Sequence, residues 1–475
     1  MPVKPAANKT FEYTVPVVVV GAGAAGMTAA LAARDGGAEV LLLERDHTPR
    51  GSTAMSQGNI AAAGTKSQKA AGIEDSGERF GDDIVKLARG QTDPELAHIF
   101  ARASGRTVDW LVEAHNIPLA VDPDWGAKLG HTRPRIHATP SKTGTELMSC
   151  LMNACEAAGV DLVTDAHVVD VYADDDGTVR GVRFERPDGS SEEVGCGALI
   201  LTTCGFGANR EMIRKFIPEM GDALYHGHEG NEGEGIQWGM ELGAAVADMT
   251  AFQGLGALAE PSRVLIHYNV ILNGGVVLNV KGERFTDEST DISGMGRKVT
   301  AQPEHYVWFV FDQKRQDFVM KYEEHKEAMS VGAVKKADTT EELARITGMP
   351  LAAVEKTLAD VMAMQNGKGK DALGRDFASE DPLEGPPWYV VKSVGALFHT
   401  QGGLVIDGNA QVKREDGTLL PNLFAAGGTA RSTSGPSDWG YIPAAGLFTA
   451  TTQGRLAGEA AARLVTGAKA RDAAE

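Results

Sequence analysis

Val17-Val-Val-Val-Gly-Ala-Gly-Ala-Ala-Gly26 opens a run of small residues that stops at Gly36-Gly37 and is followed by Glu39-Val-Leu-Leu-Leu-Glu44. Four consecutive valines predict a buried strand, and Pro16 stands where a strand tolerates proline, at its first residue. Gly21, Gly23 and Gly26 then form G-x-G-x-x-G. They meet three separate demands: a tight turn, close approach of backbone to a pyrophosphate, and close packing of helix on strand. The helix that begins at Ala24 and Ala25 presents N–H groups and a positive dipole end to that pyrophosphate. The second strand ends in Glu44, at the spacing of a carboxylate that accepts ribose hydroxyls, with Arg45 behind it. Strand, turn, helix, strand and acid fall in register, which a ligand-free glycine turn does not require. The first expectation is therefore a dinucleotide site.

At 475 residues the chain exceeds one ordinary core and predicts two domains, or one domain carrying a large insertion. A net charge of -18 argues against nucleic acid or an anionic membrane as the main partner. No apolar run reaches membrane-spanning length, and residues 1–15 lack the apolar stretch of a signal peptide, so a cytoplasmic location is expected. Cys150, Cys155, Cys196 and Cys204 show no metal-ligand spacing and read as free thiols of a reducing compartment. The histidines and glutamates of Tyr225-His-Gly-His-Glu-Gly-Asn-Glu-Gly-Glu-Gly235 match no common metal site, and none is expected.

After Glu44, the loop Gly51-Ser-Thr-Ala-Met-Ser-Gln-Gly58 offers small and hydroxyl residues for further cofactor contacts, namely Gly51, Ser52, Thr53, Ser56 and Gly58. Residues 76–115 read as two amphipathic scaffold helices and 143–158 as a third. Strands at 161–171, which includes Val168, 179–185 and 193–203 are joined by Asp-Asp-Gly and Pro-Asp-Gly turns into a meander. It ends at Thr203 and Gly205, a second place for backbone to approach the cofactor. From about residue 223 the character changes to glycine-rich and polar, then to a helix at 237–247. Strands at 275–280 and 307–312 and helices around 313–325 and 339–364 follow. Strand character resumes at 396–407 and at Asn422-Leu-Phe-Ala-Ala-Gly-Gly428, which contains Gly427. A final helix runs from Ala444 to about Leu464 and carries Gly446 and Leu447 in its first turn. The expected division is 1–222 and 394–475 as one domain, with 223–393 inserted between its halves.

These stations, together with Gly282-Glu-Arg-Phe-Thr-Asp-Glu288, His399-Thr-Gln-Gly-Gly403 and Gly454-Arg-Leu-Ala-Gly-Glu459, span nearly the whole chain in order. The pattern resembles the fumarate reductase/succinate dehydrogenase flavoprotein superfamily. In its active-site residues it looks most like the 3-ketosteroid Δ1-dehydrogenases and related FAD-dependent ketone desaturases, such as those acting on 4-oxocyclohexanecarboxylate. The resemblance implies an α/β fold: a Rossmann-type FAD-binding domain with a glutathione-reductase-like sheet and an inserted α+β capping domain. It implies non-covalent FAD, touched by Gly21–Gly26, Glu44, Arg45, the 51–58 loop, Val168, Thr203, Gly205, Gly427, Gly446 and Leu447.

Two departures from the reductases shape the functional expectation. Fumarate reductases carry a proton-donating arginine in an Arg-Leu-Gly-Gly-Asn run before the final Gly-Arg-x-Ala-Gly; at the matching distance before Gly454 stands Tyr441. Their Glu-x-x-Arg relay is replaced here by Tyr268 and Ile271. By contrast, Tyr441-Ile-Pro-Ala-Ala445 looks like the Tyr-Pro-Gly-Pro-Gly of the ketosteroid enzymes. The implied function is desaturation of a cyclic ketone beside its carbonyl, with Tyr441 O–H and Ala445 N–H holding the carbonyl oxygen. Tyr268 is the first choice of base and Tyr225 the reserve, while His399 touches substrate or positions the Gln401 turn. Arg297 or Arg133 would meet a substrate carboxylate. Without a second G-x-G-x-x-G for NAD(P)H, electrons are expected to leave to oxygen, a quinone or a carrier protein. A fumarate- or urocanate-type ene-reductase and a non-catalytic electron-transfer flavoprotein are the alternatives.

Overall fold

The structure, a computed structural model, describes residues 3–7 and 9–467, which form two compact units. The first contains the chain up to Ile217, then Gly227–Phe252, then everything from His399 onward. Its principal elements in chain order are β1 (Tyr13–Val20), α1 (Ala24–Asp35), β2 (Val40–Leu43), α2 (Gly77–Leu87), β3 (Ser191–Leu201), α3 (Glu234–Glu241), β4 (Leu419–Ala425) and α4 (Ala445–Thr466). The sheet is built around β1. It pairs in parallel with β2, Val17 opposite Val40, and with β3, Val18 opposite Leu199. β4 lies parallel on the far side of β3, Leu423 opposite Leu199. A strand fully covered on both faces reads as a continuous apolar run, and Val17, Val18 and Val19 are indeed wholly buried. Outside this parallel core, Val179–Glu185 pairs antiparallel with both β3 and His167–Ala173.

The two ends of the chain meet through helices rather than strands alone. A Cβ on Gly454 of α4 would lie 2.4 Å from the carbonyl oxygen of Ala25, and one on Gly458 would lie 2.1 Å from that of Ala29. Only glycine permits this approach, so α4 rides directly on the backbone of α1. That seam puts the start of α4 near the glycine turn that opens α1.

Gly227–Phe252 belongs to this first unit, although the change of composition at residue 223 placed it in the insertion. The reason lies in α3. A Cβ on Gly235 would meet Thr203 Oγ1 at 2.5 Å, and one on Gly239 would meet the Leu404 side chain, so the helix packs against the main sheet's own loops. The helix also starts earlier and ends sooner than the expected 237–247.

The second unit comprises Pro218–His226 and Gln253–Phe398. Its six-stranded sheet centres on Trp388–Thr400, which pairs antiparallel with Tyr306–Asp312, itself paired with Val276–Leu278. The helix expected over 339–364 is two, Thr340–Thr347 and Leu351–Gln365, because Gly348 takes a left-handed conformation at φ +73° and Pro350 caps the next helix. The helix expected over 313–325 likewise divides into Gln313–Val319 and Glu323–Ser330. A buried ion cluster braces this unit. Arg284 binds Glu288 and Asp371, Arg375 binds Glu380, and both guanidinium groups stack on Phe377 at 4.5 Å. Among the described residues no helix is long and apolar enough to cross a membrane.

Candidate active site

The glycine turn is built as its spacing requires. Gly21 sits at φ +101°, where a Cβ would lie 2.6 Å from the Thr202 carbonyl oxygen, and a Cβ on Gly26 would lie 1.9 Å from Gly21 O. The N-cap of α1 is Gly23, which brings no side chain to the helix's first N–H groups. Thr53 Oγ1 accepts from Ala24 N–H at 3.1 Å, leaving Ala25 and Gly26 at the helix mouth for an anion. Glu44 is anchored beside the turn: Oε2 accepts from Ala22 N–H at 2.7 Å and Oε1 from Asp46 N–H at 3.0 Å. This carboxylate end of β2 is where a ribose would be bound.

The neighbouring loops close around it. Ser56 Oγ donates to Thr53 O at 2.7 Å and accepts from Gly58 N–H at 3.0 Å, which folds the 51–58 loop on itself. Ser52 Oγ accepts from Asn231 Nδ2 at 2.8 Å. The polar run after Gly227 supplies partners to the segment behind β2: His228 pairs with Asp46 at 2.7 Å, and Glu234 lies 3.9 Å from Arg45 and 3.0 Å from His167. His228 and Glu234 of this run are thus polar partners of the segments beside β2, a role that only the fold reveals. Val168 is a buried residue of its strand. Thr203 Oγ1 accepts from Gly235 N–H at 3.2 Å, and a Cβ on Gly205 would lie 2.0 Å from Thr400 Oγ1. Gly427 N–H donates to Gln453 of α4 at 3.0 Å.

The start of α4 gathers a second set of groups. Tyr441 and His399 are partly exposed and meet edge to face, ring centroids 5.6 Å apart. A Cβ on Gly446 would lie 3.3 Å from His399 Nε2 and 3.9 Å from the Tyr441 oxygen, so these three residues face one small space. Gln401 orders the imidazole. Its Oε1 accepts from Ser434 Oγ–H at 3.0 Å, which turns Nε2 toward His399 Nδ1 at 2.7 Å. An imidazole that accepts at Nδ1 carries its proton on Nε2 when neutral, and burial pushes the His399 pKa down to about 4. Burial raises the Tyr441 phenol to about 12, against a smaller lowering from the Gly446 N–H directed at its oxygen. The result is an uncharged cluster that presents two donors, Tyr441 O–H and His399 Nε2–H.

The expected second donor, Ala445 N–H, is engaged elsewhere: it donates to Ile442 O at 3.0 Å, because Ala444 enters the helix in a left-handed conformation at φ +64° and folds the preceding turn tightly. Gly446 N–H, one residue on, takes its place beside Tyr441. Leu447 completes the first turn of α4. Ser434 was not legible as a site residue, since a serine in a Ser-Thr-Ser-Gly run carries no local signal of its partner thirty residues away in the Gln401 turn.

The tyrosines of the second unit differ in setting. Tyr268 lies in the unit's hydrophobic core, stacked edge to face on Phe309 at 5.9 Å, and its hydroxyl donates to Glu288 O at 2.9 Å. Burial holds its pKa well above the ordinary value. It caps a short helix, Asn269–Leu272. Tyr225 is partly exposed, on a short strand paired with Leu397. Arg297 lies on the helix Met295–Thr300 of the second unit. Arg133 is exposed and donates to the carbonyls of Glu74 and Thr132.

Burial of neutral imidazoles has a measurable consequence. His131, His137, His325 and His399 are all pushed down to about 4, in each case chiefly by burial. In the unfolded chain they titrate near the ordinary histidine value of 6.5. As pH falls from that value toward 4 the unfolded state therefore takes up protons that the folded state refuses, and stability is lost. Thermal melts from pH 7 to pH 4.5 should show a steady fall in Tm. A flat Tm across that range would mean that these rings ionise in the folded protein.

A family model described as an FAD binding domain matches residues 16–440. A protein of Shewanella frigidimarina (strain NCIMB 400) named as a probable fumarate reductase is 33% identical over 459 residues, covering 95% of this chain and 75% of that one. Among solved structures, the open conformation of a flavocytochrome c3 fumarate reductase matches with a TM-score of 0.80 and 30% identity, over 97% of this chain and 80% of that one. The 3-ketosteroid-Δ4-(5α)-dehydrogenase of Rhodococcus jostii RHA1, solved with 4-androstene-3,17-dione, matches with a TM-score of 0.77 and 25% identity, over 97% and 100% of the two chains. FAD is the cofactor, and the glycine turn, the uncapped mouth of α1 and the Glu44 carboxylate fit its pyrophosphate and ribose.

Proposed function

We propose, from the premise that this chain belongs to the FAD-binding-domain family it shares with fumarate reductases, that it introduces a C=C bond α,β to the carbonyl of a cyclic ketone. The observation that carries this reading is the uncharged donor cluster at the start of α4, Tyr441 O–H beside His399 Nε2–H. Taking the α-proton of a ketone moves charge onto its oxygen. Donors placed where that charge develops stabilise the transition state more than the ground state. A phenol and an imidazole that both stay neutral can do this across the whole working pH range. Reduction of a dicarboxylate instead calls for cationic groups on the carboxylates and a proton donor at carbon, and the resemblance puts Tyr441 where the reductases carry arginine.

FAD, held by the glycine turn and Glu44, would supply the hydride-accepting chemistry for the β-carbon. The α-proton goes to a protein base, and the product is the α,β-unsaturated ketone. Tyr225 suits that role better than Tyr268, whose hydroxyl is spent on Glu288 O inside a core. A free phenol titrates near pH ~10, so a tyrosine base gives a rate that rises with pH. A ring carrying a carboxylate, such as 4-oxocyclohexanecarboxylate, is the proposed substrate class, with oxygen, a quinone or a carrier protein taking the electrons.

The test is anaerobic mixing of oxidised enzyme with cyclohexanone, 4-oxocyclohexanecarboxylate and a 3-ketosteroid while flavin absorbance is followed. Bleaching by a ketone is expected. Enzyme reduced with dithionite should then fail to be reoxidised by fumarate or urocanate. Rapid reoxidation by either acid, with no bleaching by any ketone, would give the chain to the reductases. Tyr225→Phe should abolish the alkaline rise in rate; if Tyr268→Phe does so instead, the base is Tyr268 and the reaction class stands.

A further inference from the structure

The residues that carry the donor cluster sit on a turn that helix geometry alone does not hold. Ala444 precedes α4 at φ +64°, a conformation that disfavours a side chain. The first helical bond here, Phe448 N–H to Ala444 O, begins one residue after Pro443, so the Pro443 carbonyl is no part of the helix ladder. It is met by His131 Nε2 at 3.0 Å. His131 is 5% exposed, and its Nδ1 has no hydrogen-bond partner. A neutral imidazole with a bare Nδ1 has its one proton on Nε2, so the ring is a donor to Pro443 O and to nothing else.

The ring itself is tied into a buried frame. Thr132, next in the chain, donates from both N–H and Oγ to Asp83 Oδ2 at 2.9 and 2.7 Å. Asp83 and Asp75 hold Arg135, which is fully buried and stacks on Phe80 at 4.8 Å. Phe80 in turn packs on His131 at 5.9 Å and on Phe448 of α4 at 4.9 Å. Ion pair, aromatic and imidazole thus form one buried support that reaches the turn through the bond to Pro443.

We infer that His131 is a positioning residue: by holding the Pro443–Ala444 peptide it fixes the left-handed entry to α4, and through it the Tyr441 hydroxyl and the Gly446 N–H. Without that donor the partly buried Pro443 carbonyl loses the partner that holds it here, and rotating the peptide toward water turns Ala444 and the first turn of α4 with it. The positioning stands on this geometry alone; its effect on turnover rests on the ketone reading above.

The variants are H131F, which keeps a ring and removes the donor, and H131Q, whose amide nitrogen reaches the place of Nε2. Hydrogen–deuterium exchange of the FAD-loaded protein reads the turn directly. Exchange across residues 441–448 should quicken by ~10-fold or more in H131F and return to within about twofold of wild type in H131Q, since a lost buried hydrogen bond carries an effect of that order. The later turns of α4 should be unchanged in both. Binding of 4-hydroxybenzoate, a stable stand-in for an enolate, followed by its perturbation of the flavin spectrum, should weaken in H131F by a similar factor and recover in H131Q. Unchanged exchange at 441–448 in H131F overturns the inference, and so does equal quickening in both variants, which would assign the effect to packing. If H131F does not fold, H131N, too short to reach Pro443, replaces it with the same expected results. Wild-type protein that neither binds 4-hydroxybenzoate nor is bleached by ketones removes the ketone reading, while the exchange comparison still decides the role of His131.

Discussion

Tyr441→Phe is expected to retain FAD and to lower kcat on a ketone by on the order of 10²-fold or more, the scale of a lost oxyanion-hole donor. The substitution keeps the ring that packs edge to face on His399 and removes only the oxygen, so the fold and the His399–Gln401–Ser434 chain should survive it. KM should change less than kcat, because the donor matters most where charge has moved onto the carbonyl oxygen. With the phenol raised to about 12, wild-type activity should show no alkaline loss from ionisation of this group below that pH. Single-turnover flavin reduction in the two proteins is the direct comparison. Equal rates would remove Tyr441 from the chemistry. Gly446→Ala is a complementary probe, since its methyl would sit 3.3 Å from the His399 ring, in the space proposed for the carbonyl.

Glu44→Arg should give colourless protein, with nearly all FAD lost on purification. The carboxylate holds the Ala22 and Asp46 N–H groups at 2.7 and 3.0 Å, and we propose that its remaining lone pairs accept from ribose hydroxyls. A guanidinium accepts no hydrogen bond, so the turn loses both anchors and the ribose loses its acceptor. Glu44→Asp keeps the charge on a shorter arm and should retain part of the cofactor. Absorbance of the purified proteins decides the matter; a yellow Glu44→Arg protein with one flavin per chain would sink the assignment. Acid precipitation of the wild type should release the flavin to the supernatant, as non-covalent attachment requires.

The nucleotide half of the site was legible because its constraints are local. A buried parallel strand, a glycine turn and a terminal acid each leave a mark within a few residues, and Val17 to Glu44 show all three. The inserted unit was legible as an insertion, but its border was not. The Gly-rich run after Gly227 looks like the start of something new, yet α3 returns to the first sheet through contacts of Gly235 and Gly239 that no composition change reports. The choice of Gly446 over Ala445 as the N–H beside Tyr441 depends on a left-handed alanine, and alanine gives no sequence sign of that conformation. Tyr268 shows the converse. A tyrosine beside a histidine reads as chemistry until the fold spends its hydroxyl on a carbonyl inside a core.

The seam between α1 and α4 also sets an order of events in the cell. During synthesis β1, α1 and β2 leave the ribosome well before α4, and the face of α1 that receives Gly454 and Gly458 waits for α4 to be made. β3 likewise waits for β4, its parallel neighbour from the other end of the chain. Pairings of such long sequence separation form late. The nascent chain therefore carries its glycine turn long before it carries a completed sheet, and stable flavin loading is expected to wait for the synthesis of α4.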